Sequence, residues 1–181
     1  MFENNTSFNQ PIGDWNVSSV TTMINMFMNN TSFNQDISSW DVSNVTHMNR
    51  MFSGSSFNQD ISSWDVSNVY SMDNMFNGAS AFNQNLSSWD VSNVVDMGGM
   101  FLGSPFNQPI GDWNVSNVVE MGSMFSNSPF NQDISSWDVS NVVEMGSMFS
   151  NSPFNQDISS WDVSNVVDID CLLYTSDAAD E

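Results

Sequence analysis

Residues 33–45 read FNQDISSWDVSNV, and the same thirteen residues return unchanged at 57–69, 130–142 and 154–166. Close variants fill the intervals, as FNQPIGDWNVSNV does at 106–118. The tryptophans set the period: Trp15, Trp40, Trp64, Trp89, Trp113, Trp137 and Trp161 lie 25, 24, 25, 24, 24 and 24 residues apart. Where an extra residue is present it falls between MF and FNQ, as in MFMNNTSFNQ (26–35) beside MFSGSSFNQ (51–59). A place that accepts insertion is a surface turn.

A period of this length is one coil of a stacked repeat and lies within the leucine-rich-repeat range. In the coil that begins at Phe33 the apolar positions are Phe33, Ile37, Trp40, Val42, Val45, Met48, Met51 and Phe52. Trp40 and Val42 alternate with Asp41, which predicts a short strand with Trp and Val turned inward. Val45, Met48, Met51 and Phe52 stand at i, i+3, i+6 and i+7, which predicts a short helix, or a 3-10 turn where Gly98, Gly99, Gly122 and Gly146 weaken it. Ser43 or Asn44 would cap that helix. In later coils an acid follows the Asn by three residues (Asp96, Glu120, Glu144 and Asp168), as suits a first helical turn. The expected fold class is therefore an α/β solenoid, leucine-rich-repeat-like, with one short parallel strand and one short helix or 3-10 turn per coil of 24–25 residues. An all-β solenoid is the alternative. Seven coils at strand spacing would make a rod roughly 30–35 Å long. Residues 1–173 read as one repeat domain that opens in mid-repeat. Residues 174–181 read as a tail outside the repeat, either a polar cap or foreign sequence.

Composition limits what such a rod can bind. There are 21 acidic residues against one base, Arg50, for a formal charge of −20. Nucleic acid and anionic membranes are bound through Lys and Arg, so both are excluded as expected partners. No apolar run is long enough for membrane insertion. Seven Trp, fourteen Phe and fourteen Met separate the chain from acidic disordered tails. One cysteine, Cys171, provides neither a disulfide framework nor a cysteine metal site.

The unit FNQDISSWDVSNVxxMxxMF resembles the bacterial surface protein repeats of BspA type, a leucine-rich-repeat-like family. ISSWDV takes the place of the family's strand segment and VTHMNRMF (45–52) that of its helical return, across residues 1–173. The resemblance implies a repeat protein displayed extracellularly on a bacterial surface, often as a lipoprotein. It further implies adhesion to an extracellular protein or glycan.

Catalysis needs unlike groups converging on one point. A chain with one His, one Cys, one Arg and no Lys offers little for that, so no enzyme is expected and no catalytic or cofactor-binding residue is assigned. His47 and Arg50 read as substitutions on an exposed face. The candidate binding face is acidic. One column holds Asp41, Asp65, Asp90, Asp138 and Asp162, interrupted by Asn16 and Asn114; a second holds Asp36, Asp60, Asp133 and Asp157, interrupted by Pro11, Asn85 and Pro109. Oxygen ligands suit Ca²⁺, which makes the first column the metal candidate, although DISSWD is not a calcium-loop pattern. The expected function is a non-catalytic surface binding module. A structural spacer is the alternative, followed by a calcium-dependent binder and by an ice binder, which would prefer a Thr-rich face.

Overall fold

The apolar positions of the unit become a core only by repetition. In the computed structural model, which describes residues 1–170 and 172, Phe33, Ile37, Trp40, Val42, Val45, Met48, Met51 and Phe52 are each at most 3% exposed. Their counterparts continue one hydrophobic core from Ile12 to Trp161. No single coil could enclose these side chains; the coil above and the coil below cover them. Phe27, Phe52 and Phe76 form one column with ring centroids 5.6 and 5.7 Å apart and nearly parallel planes. Trp40 stacks on Trp64 at 6.5 Å and 3°. Such offset stacks add about 0.5–1.5 kcal/mol per pair to simple burial.

The expected fold class is overturned. Among the described residues there is no helix, and the only β-pairing is a series of isolated parallel bridges, Thr22 to His47, His47 to Ser71, Ser71 to Asp96, and so on to Asp168. Neither an α/β solenoid of leucine-rich-repeat type nor its all-β alternative describes this largely non-regular chain. The segment expected to be helical alternates its hydrogen bonds. The amides of Met48, Arg50, Phe52 and Gly54 donate to the carbonyls of Ser71, Asp73, Met75 and Asn77 in the next coil, at 2.7–3.0 Å. Those of Met51, Ser53 and Ser55 close tight turns on Met48, Arg50 and Phe52. Left-handed residues recur every four positions, as Arg50 (φ 54°) and Gly54 (φ 64°) do here. An α-helix of L-residues does not accommodate that conformation. Asn, Gly and Ser fill nearly all of these positions, and Asn and Gly reach left-handed φ most cheaply. The one-sided spacing of Val45, Met48, Met51 and Phe52 is thus met by successive turns.

The expected strand around Trp40 and Val42 fails for a related reason. Both side chains point inward and Asp41 outward, but tight turns flank them, with Trp40 N–H bonded to Ile37 and Val45 N–H to Val42. Too few extended residues remain to form a ladder, so side chains join the coils on this edge. Trp40 Nε1 donates to Ile12 O at 3.0 Å and Trp64 Nε1 to Ile37 O at 3.1 Å. Asn44, expected as a helix cap, instead donates through Nδ2 to Ser18 O of the preceding coil at 2.8 Å. The Asn of each FNQ is exposed or half-buried. Its Oδ1 accepts the next coil's Asn amide, as Asn9 does from Asn34 at 3.0 Å and Asn34 from Asn58 at 2.8 Å. Cys171, Leu173 and the tail at 174–181 lie outside the described residues.

Candidate binding surface

Every aspartate of the two sequence-predicted columns is exposed, and each first serves its own coil. Asp41 Oδ1 accepts the Ser43 amide at 3.1 Å and the Ser43 hydroxyl at 2.6 Å; Asp65 and Asp138 repeat both bonds. Asp90 and Asp162 accept the Ser92 and Ser164 amides at 3.0 Å. In the second column Asp36, Asp60, Asp133 and Asp157 each accept the amide two residues on, at 2.9 Å. These are Asx turns, in which a side-chain oxygen fixes a corner. Asn16, Asn85 and Asn114 make the same bond, so the bond takes an acceptor and has no need of a charge, and Pro11 and Pro109 stand at second-column corners without it.

Electrostatics follow from this bonding. The Ser43 hydroxyl, then its amide, holds the Asp41 carboxyl below its ordinary value. Asp90, Asp138 and Asp162 are lowered in the same way by Ser92, Ser140 and Ser164. Asp36, Asp60, Asp133 and Asp157 are lowered chiefly by a backbone amide. All bonds of the nine carboxylates among the described residues go to Oδ1, which leaves Oδ2 of each unbonded.

The PIGD coils depart for a packing reason. A Cβ on Gly111 would stand 2.6 Å from Asp133 O, and one on Gly13 would stand 2.8 Å from Asp36 O. Only glycine admits that approach, and Ser136 Oγ then donates to Gly111 O at 2.7 Å. A shallow depression of about 420 Å³ opens beside this turn, lined by Ser87, Pro109, Asp112 and Gln132 among others.

A second acidic feature was missed from the sequence. Asp96, Glu120, Glu144 and Asp168, expected as helix-cap acids, are the bridge residues of successive coils, so they stack in a line. Gly98 and Gly122, two residues beyond Asp96 and Glu120, line a trough of about 490 Å³ together with Gly99. Asp73, Asp96, Glu120, Leu102 and Ser123 are among its lining residues. Partial burial, then the Asp96 charge, pushes the Asp73 carboxyl up against the opposing pull of Arg50. Burial, then Glu144 and Asp96, pushes Glu120 up. Arg50 Nη2 lies 3.7 Å from Asp73 Oδ2, a half-exposed pair that contributes little. His47 occupies the same bridge line, its Nδ1 2.9 Å from Thr46 Oγ1 and its ring 6.0 Å from that of Tyr70. The available signal was the joint arrival of VVD or VVE and a following Gly in the fourth, fifth and sixth coils.

Coils that share one core and present the same corners at every level define a repeat protein. The chain belongs to the family described as "Mycoplasma protein of unknown function, DUF285", which matches it three times, over residues 1–87, 53–128 and 104–181. The overlap of these matches reflects the period, since a register shifted by whole coils fits again. This membership replaces the resemblance to BspA-type, leucine-rich-repeat-like surface repeats. No curated protein matches the chain, and no solved structure does.

Proposed function

We propose that the chain is a non-catalytic binding module that works through its acidic outer surface, set at the cell surface with an extracellular protein or glycan as partner. The observation that supports this is the unused charge at the corners. The corner bond takes one acceptor oxygen and Asn supplies it at residues 16, 85 and 114, yet Asp fills nine of the positions and leaves its second oxygen unbonded. An array of glycans and extracellular proteins probed with the intact chain tests the reading. Capture of a defined ligand supports it, and a blank array favours the structural spacer. The cell-surface setting is tested by protease treatment of intact cells, which should cut the chain. Calcium dependence has its own measurement: melting curves in excess Ca²⁺ and in chelator that superimpose would end it.

A further inference from the structure

Two lines of residues run side by side down coils four to seven. Asp96, Glu120, Glu144 and Asp168 form the bridge line. The residues just before them, Val95, Val119, Val143 and Val167, form a second, in which Val167 is 76% exposed and the other three are half-buried. Folding does not dictate this pairing, because the earlier coils carry Thr21-Thr22, Thr46-His47 and Tyr70-Ser71 at the same places. Beside the first two acids, Asp96 and Glu120, lies the trough lined by Gly98, Gly99 and Gly122, with Leu102 also on its lining. An acidic line beside an apolar one, with a floor without side chains at its first two levels, complements a polypeptide whose Lys or Arg residues form one line beside an apolar one.

Spacing selects the conformation of that partner. Coils joined by parallel bridges lie about 4.8 Å apart. A helix lying along the stack presents one turn every 5.4 Å or so, and across four coils drifts about 1.8 Å out of register, within reach of a Lys side chain. An extended strand presents same-side residues about 6.6 Å apart and drifts by about 5.4 Å, more than a whole coil. We infer that the Val-acid face of coils four to seven docks a cationic amphipathic helix. This rests on the reading of the chain as a binding module and names its partner chemistry.

The test uses the intact chain and a fluorescent Leu/Lys amphipathic peptide long enough to run over four coils. A peptide of the same composition with a central proline serves as the control for helicity. The helical peptide should bind, and the proline peptide should bind roughly tenfold more weakly or worse. A Glu120→Gln/Glu144→Gln double variant should lose roughly tenfold in affinity or more. That variant also relieves repulsion between stacked carboxylates, so its melting temperature should hold or rise, which separates lost binding from lost folding. A Glu3→Gln/Asp14→Asn double variant, at exposed acids of the first coil outside both aspartate columns, changes charge equally and should bind within about twofold of the parent. Equal losses in the two double variants would reduce the effect to net charge and overturn the proposal, as would equal binding of the two peptides. Absence of peptide binding alongside a positive ligand array removes this inference alone; absence of both removes the binding module with it.

Discussion

At Asp90 the two carboxylate oxygens have different duties, one holding the Ser92 amide at 3.0 Å and the other facing outward. Substitutions can separate them. Asp90→Asn keeps the acceptor and should move the melting temperature by no more than about 1 °C, whereas Asp90→Ala removes it and should lower melting by about 2–4 °C. Thermal denaturation followed by tryptophan fluorescence distinguishes the cases. Equal effects would mean that the charge itself stabilises the corner. A buried counterpart is Trp64, whose Nε1 satisfies Ile37 O at 3.1 Å. Trp64→Phe keeps most of the apolar volume but strands that carbonyl, and urea titration should register a loss of about 1–3 kcal/mol.

Elements in this molecule are turns, and their stability depends on which residue stands at each left-handed position. Ser123 and Ser147 occupy φ values of 57° and 58° where other coils use Asn, Arg or Gly. Ser123→Gly removes the Cβ strain, and the gain should exceed the added flexibility of the unfolded chain by about 0.5–1 kcal/mol, read from denaturant midpoints. The same positions explain how far the sequence could be read. Spacing identified Met48, Met51 and Phe52 as buried, because any chain that returns to one side of a core buries that pattern. It did not reveal the conformation, since the left-handed signal is spread over Asn25, Arg50, Asn74 and Gly99 in four separate coils. The outward aspartates were legible from Trp-Asp-Val alternation within one coil. The trough was not, because Asp73, Asp96 and Glu120 meet only across bridges between residues 24 or 25 apart.

At the scale of the whole stack the two classes of carboxylate oppose each other as pH changes. The corner carboxyls of Asp36, Asp41, Asp60, Asp90, Asp133, Asp138, Asp157 and Asp162 have folded values below their unfolded ones, so their contribution is present near neutrality and is lost as pH falls below about 4. Asp73 and Glu120 have folded values above their unfolded ones. Near neutrality they destabilise, and the folded chain binds protons more readily as pH falls toward those raised values. Stability should therefore rise on mild acidification and collapse on stronger acidification, and Glu120→Gln should flatten the first limb of a melting-temperature profile. Excising residues 130–153 joins Pro129 to Phe154 and restores the Ser-Pro-Phe found before the cut. The product should keep its near-UV circular dichroism and melt cooperatively, a few degrees lower; a non-cooperative product would mean that the coils are not equivalent units. The direction of the bonds between coils carries a last consequence. Amides of the turn edge, such as Met48, Arg50, Phe52 and Gly54, donate toward the next coil. Trp64 Nε1, Asn68 Nδ2 and the Asn58 amide donate toward the preceding one. Bond dipoles on the two edges point oppositely along the long axis, so adding a coil adds almost no net moment, unlike the growth of an α-helix. Arrays of very different coil number can therefore be built from this unit without charge accumulating at their ends.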